Sequence, residues 1–199
     1  MSTMKALDSL GEVINTLLGD VRAALDSAAV DGGDTARRNA VRGLFSYIEG
    51  VVWSMKDVAF REALEQNEPI DAGDAAVLLE RTYSLDDQGK IQVRDNFQRP
   101  LGNLRYAFIA LSDAYGVKFE LAVDGRGWQN LRDSLTTRNR LMHPKGPLDL
   151  QIDNSDIDLA ESALNWFNAE LARLFQAIRD KLLAGILTQG PHDAPLGGA

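Results

Sequence analysis

The chain has 199 residues, 45% hydrophobic and 25% charged, the balance of an ordinary globular protein long enough to bury a core of its own. It contains no cysteine, which excludes disulfides, thiolate metal sites and thiol nucleophiles. Twenty-nine acidic residues against 21 basic ones give a net charge of −8, which excludes a generally basic nucleic-acid coat but not a local basic site.

The opening segment carries Asp8, Glu12 and Asp20 and a single lysine, so it has no apolar core of a secretory signal. No apolar run approaches the roughly 20 residues that span a bilayer. A soluble, cytoplasmic chain with no membrane partner is expected. Residues 1–187 read as one domain, and residues 188–199, rich in Gly and Pro, as a disordered tail.

From residue 3 to about 29, Leu7, Leu10, Val13, Ile14, Leu17, Val21 and Leu25 recur at three- and four-residue steps, the period of one helix face. Asp31-Gly32-Gly33-Asp34 stops that helix. Asp34 or Thr35 is placed to cap a second helix running to about residue 64. Around Val51-Val52-Trp53-Ser54-Met55 this helix is apolar nearly all round, which predicts a central position.

Pro69 breaks the chain before a short helix over 75–83. Residues 84–99 read as a loop with a short extended piece at 90–93. Pro100 opens the next helix, which ends at Gly116, and residues 117–123 fit either an isolated strand or a loop. A further helix starts within 124–128 and runs to Pro144. After a connection over 145–153, Asn154, Ser155 or Asp156 caps a last long helix through Leu164, Phe167, Leu171 and Ile178. With no sustained heptad and no alternating β pattern, the fold class is all-α, an antiparallel bundle of about five to six helices.

Only two histidines are present, and His192 falls in the tail, so His143 is the candidate for acid–base chemistry. It follows Arg138, Asn139 and Arg140 and precedes Pro144 and Lys145, at the end of a helix. Between residues 126 and 145 the basic residues are Arg126, Arg132, Arg138, Arg140 and Lys145, against Asp133 alone, a local charge of +4 in an acidic protein. On an ideal helix Asn139 and His143 lie about 40° apart, on one face. Proline pushes the residue before it out of helical geometry, so His143 occupies the loosening last turn. An arginine there can neutralise charge developing on phosphorus, and an Asn amide can hold a phosphate oxygen.

Arg138-Asn139-x-x-x-His143 resembles the R-[polar]-x-x-x-H motif of the HEPN superfamily, helical proteins that include ribonucleases of toxin–antitoxin, abortive-infection and CRISPR-associated systems. The motif also sits where that family places it, at the end of the penultimate long helix. The resemblance implies a homodimer whose two motifs share one composite cleft, and metal-independent RNA cleavage by attack of the RNA's own 2′-hydroxyl. By the same resemblance His143 is the acid–base group, Arg138 the phosphate contact and Asn139 the positioning residue. It further implies an antitoxin or nucleotidyltransferase partner and no cofactor. The alternative left open is a non-catalytic helical module that binds RNA or another protein.

Outside the motif, Arg140, Lys145 and Arg42 are candidate substrate contacts, with Arg37 and Arg38 on the same stretch as Arg42. Glu49 lies in a very apolar stretch and needs a partner. Pairing with Arg138 or Arg140 would orient the site from behind. Asp153, Asp156 and Asp158 lack the pattern of a calcium loop and read as helix capping, so no metal site is assigned. Trp53, Trp128 and Trp166 read as core or interface anchors, and Gly125-Arg126-Gly127 lacks the spacing of a nucleotide loop.

Overall fold

A computed structural model describes residues 3–188. Six helices carry the fold: α1 (Thr3–Asp31), α2 (Asp34–Glu65), α3 (Ala72–Leu78), α4 (Pro100–Ala114), α5 (Arg126–Met142) and α6 (Asn154–Thr188). The all-α bundle is therefore the architecture, with one small addition, an antiparallel pair β1 (Arg81–Leu85) and β2 (Ile91–Asp95). Thr188 is still helical, and the rest of the segment expected to be disordered lies outside the described residues. Among the described residues no helix is long and apolar enough to cross a membrane.

Two residues, Gly32 and Gly33, join α1 to α2 and force them into an antiparallel hairpin. Gly32 takes φ +60°, the left-handed turn that closes a helix without a Cβ penalty, and its N–H bonds Ala28 O at 3.1 Å. Because α2 is apolar on most of its circumference, it packs against α1, α3, α4, α5 and α6. Tyr47, Val51 and Met55 on it are fully buried. Ring contacts run from Tyr47 to Phe167 (5.6 Å) and from Phe167 to Phe108 (6.1 Å), tying α2, α6 and α4 together. Phe108 then stacks on Phe119 at 5.7 Å, so residues 117–123 are an irregular segment laid against the core rather than a strand.

The Tyr47 hydroxyl donates to Asn168 Oδ1 at 2.5 Å, and burial raises its pKa to about 12. A raised folded-state value keeps this group's contribution intact below pH 10, the unfolded value, and removes it as the pH climbs through 12. Tyr47→Phe should therefore cost about 1 kcal/mol in denaturant melts at pH 7 and narrow its deficit between pH 10 and 12.

The hairpin corrects the expectation of a helix through residue 83, while the extended piece expected at 90–93 within the following loop overlaps β2. Helix α3 stops at Leu78, and Glu80 adopts φ +50°, turning the chain into β1. Tyr83 pairs with Val93 and Leu85 with Ile91, so these four side chains share one face. Asp86 closes the turn by accepting the N–H groups of Lys90 (2.8 Å) and Gln88 (2.9 Å), and the Lys90 bond, foremost, lowers its pKa. Only five residues alternate on each strand, and all ten are exposed, so no buried face announces them in the sequence.

Candidate functional site

Helix α5 ends at Met142, one residue before His143, as proline at 144 requires. His143 has φ −132° and ψ 59°, yet its N–H still closes a last turn on Asn139 O at 3.1 Å. Its ring is exposed and makes no hydrogen bond among the described residues. Asn139 is also exposed, and its Oδ1 accepts from Arg138 Nη1 at 3.3 Å. Arg138 reaches across to α2, where Nη2 meets Glu49 Oε1 at 2.8 Å. The partner that Glu49 needed is thus Arg138. Glu49 is half exposed (47%), so the pair is a semi-open clamp on the guanidinium rather than a buried ion pair.

The basic neighbours divide by what they touch. Arg140 turns the other way from Arg138, with Nη2 2.6 Å from Asp156 Oδ2 and Nη1 donating to the carbonyls of Asp149 (3.1 Å) and Gln151. Arg37 donates to Ile152 O and Arg38 to Leu150 O, each at 3.2 Å. Three arginines thus secure the carbonyls of 149–152, the end of a 3-10 turn (Pro147–Leu150) and the chain that leads from it into α6. Arg42, one turn beyond Arg38, is half-buried and has no hydrogen-bond or ion-pair partner among the described residues. Lys145 is exposed, with only its backbone N–H bonded, to Asp149 Oδ2 at 2.7 Å. The local charge of +4 is consequently not an open patch, since Glu49 and Asp156 each offset one arginine.

Arg140→Ala should lower stability by about 2–3 kcal/mol, because Asp156 and two carbonyls lose a charged donor. Arg42→Ala should stay within about 0.5 kcal/mol of the parent. Thermal melts of the two variants give the comparison, and an unchanged Arg140→Ala melt would return that residue to the substrate-binding set.

The start of α6 corrects the expected cap. Asp153, not Asn154, Ser155 or Asp156, performs it: its Oδ1 accepts from Ser155 Oγ (2.6 Å) and Asp156 N (3.0 Å). The Ser155 hydroxyl, foremost, holds the Asp153 carboxyl below the usual carboxylate range. Asp156 completes the cap reciprocally, its Oδ2 accepting the Asp153 N–H at 3.2 Å, and it also receives Thr137 Oγ1 at 2.7 Å and Arg140, joining α5 to α6. Among the described residues no cluster of three His, Cys, Asp or Glu forms a metal site. Gly127 has a packing reason, since a Cβ there would lie 2.3 Å from Trp166 Cδ1. Trp166 in turn makes an edge contact with buried Trp128 at 5.5 Å.

Sequence reasoning passes over a second group of polar residues on the other side of the Arg138–Glu49 pair. Lys56 is 0% exposed, two helical turns beyond Glu49 on α2. Its Nζ is 2.5 Å from Glu80 Oε1 and 2.7 Å from Asn103 Oδ1, and Asn103 Nδ2 donates to the same Glu80 oxygen at 2.8 Å. Burial lowers the Lys56 pKa, against the upward pull of Glu80. A lysine four residues after Val52 and three before Ala59, on the same helix face as both, was the available signal, but its acidic partner lies 24 residues on, at a left-handed turn.

Between these two polar groups opens a cavity of about 490 Å³, bounded by α2, α4, α5 and the chain that leaves the hairpin. Arg138 and Glu49 line one part of it, Glu80 and Asn103 another, and Trp53 and Phe97 are among its apolar members. Trp53 is therefore no core residue but half exposed at 52%. His143, Arg140, Lys145 and Arg42 do not line this cavity, so Arg138 is the motif's connection to it. In comparisons with protein-family models, curated proteins and solved structures, nothing matches this chain.

Proposed function

We propose that the chain is a HEPN-like, metal-independent endoribonuclease of a toxin–antitoxin or antiviral defence type, working in the cytoplasm as a homodimer. The observation that carries this reading is the division among neighbouring side chains on α5. Arg140 is committed to the fold, whereas Arg138 is oriented by Glu49, and Asn139 and His143 stay exposed at the helix terminus. That is the disposition a phosphate-directed site needs: a held guanidinium, a neighbouring amide and an unencumbered imidazole.

The chemistry follows from those groups. The ribose 2′-hydroxyl attacks the adjacent phosphorus and surrenders its proton to an imidazole. Arg138 and Asn139 stabilise the charge on the non-bridging oxygens. The P–O5′ bond breaks as the departing oxygen takes a proton from an imidazolium, leaving a 2′,3′-cyclic phosphate and a 5′-hydroxyl. Two copies of the motif facing one cleft would supply base and acid together. An antitoxin or nucleotidyltransferase that covers or modifies this end of α5 is the corresponding regulator.

The test is incubation of the purified chain with mixed single-stranded RNA in EDTA, with analysis of product ends and of mass in solution. Cyclic phosphate ends from a dimer are the expected result. RNA bound without cleavage would assign the chain to RNA binding alone, and neither binding nor cleavage would overturn the reading in favour of a protein-interaction module.

A further inference from the structure

The cavity beside Arg138 has a chemical character of its own. Its roof and walls are apolar, including Leu101 and Leu135, and two large aromatic side chains stand at it with much of their surface in water: Trp53 at 52% and Phe97 at 84%. Aromatic surface left open against an apolar hollow is what a flat, stackable ligand uses. The volume, about 490 Å³, is within the usual span of small-molecule sites, about 300–1,000 Å³.

Charge then decides which part of a nucleotide enters. Glu49 and Arg138 line the cavity as one ion pair, and Glu80 is offset by the buried Lys56 behind it, so the charges balance and the interior holds no surplus cation for a phosphate. The phosphate belongs instead at Arg138, the residue shared with the motif. Three acceptor atoms at the cavity stay unbonded among the described residues, beside spare N–H groups on Arg138, Asn103 and Gln98. Glu80 uses Oε1 for both Lys56 and Asn103 and leaves Oε2 unbonded among the described residues. Glu49 likewise engages only Oε1, and Gln98 donates through Nε2 to Asn96 O, leaving its own Oε1 free. A ligand matched to these acceptors brings donors. Of the four RNA bases guanine alone offers two adjacent donors, N1–H and the N2 amine, on its pairing edge, while uracil offers one N–H between two acceptors.

We infer that this cavity is a base pocket that takes a guanine of the RNA strand, stacked on Trp53 and Phe97 and held at its pairing edge by Glu80, with the attached phosphate directed to Arg138. This rests on the ribonuclease reading for its substrate, but the pocket itself stands on cavity shape, aromatic exposure and the unbonded carboxylate oxygen of Glu80. Lys56 and Asn103 have a defined part in it: they hold the Glu80 carboxylate in place without occupying its second oxygen.

The experiment is calorimetric titration of the full chain with GMP, AMP, CMP and UMP, run beside cleavage of single-stranded RNA in EDTA with sequencing of the cut ends. GMP should bind at least tenfold more tightly than UMP, and cuts should cluster at guanines. Phe97→Ala, at a highly exposed side chain, should weaken GMP binding at least fivefold. Leu135→Trp, which fills the cavity, should abolish it, and if that variant does not fold, Phe97→Ala alone decides. Four equal affinities, no binding of any nucleotide, or GMP binding untouched by Phe97→Ala would each overturn the pocket. Cleavage without base preference and without GMP binding discards the pocket and keeps the ribonuclease. GMP binding that Phe97→Ala removes, in a chain that cuts nothing, keeps the pocket and discards the ribonuclease.

Discussion

Replacing His143 with alanine is expected to reduce RNA cleavage by roughly 10²–10⁴-fold, the usual contribution of one general acid–base group, while the melting temperature stays where it was. Both halves follow from position. The ring is exposed and bonds nothing among the described residues, so its removal opens no cavity and strands no buried polar group. Its backbone N–H, which does bond Asn139 O, is retained in alanine. Equal activity in parent and variant would mean that cleavage comes from elsewhere. Arg138→Ala should fall comparably in rate, because Glu49 then faces the site without its counter-charge. Glu49→Gln should have a milder effect, because its amide oxygen can still accept from the guanidinium.

The largest stability effect is expected at Glu80 rather than at any motif residue. Glu80→Ala leaves the fully buried Lys56 ammonium with only the Asn103 and Val77 oxygens, a loss of about 3–5 kcal/mol. Lys56→Met should cost less, because the Glu80 carboxylate is 19% exposed and can recover water. The double variant should be more stable than Glu80→Ala alone, and that coupling, read from denaturant melts of all four proteins, is the measure of the pair. Glu80→Gln controls for the strained backbone at φ +50°, which it shares with the parent.

The pH dependence carries a sign. Lys56 has a folded-state pKa below its unfolded value of 10.5, so the unfolded chain binds the extra proton and stability rises with pH between the two values. Removing Glu80 removes the main influence that pulls that pKa back up. The window therefore widens downward, and Glu80→Ala should regain stability on going from pH 7 towards 10 more steeply than the parent does. A flat profile would mean that water has entered and solvated the ammonium.

Local patterns reach far into this chain. The three- and four-residue apolar spacing on α1, α2, α5 and α6 records which faces must leave water, and Gly32, Pro100 and Pro144 mark ends that backbone chemistry alone enforces. Exposed alternation without burial leaves a weaker record: an extended piece at 90–93 was legible, but its pairing with β1 was decided only in three dimensions, where the Asn96 N–H closes the base on Glu80 O at 2.7 Å.

The motif on α5 is likewise a property of sequence, because Arg138, Asn139 and His143 lie within two turns of one helix. What sequence by itself determined is therefore the helical class, the central place of α2 and the position of the Arg138–His143 motif at the end of α5. Only the tertiary structure decided that Arg138 faces Glu49 while Arg140, two residues on and so on another side of the helix, is taken up by Asp156. It alone joined Lys56 to Glu80 and Asn103 and opened the cavity between them. The physical reason is the same in each case: a charge seeks its partner through space, across 16 to 89 residues in these pairs, and nothing in a local period records where that partner comes to rest.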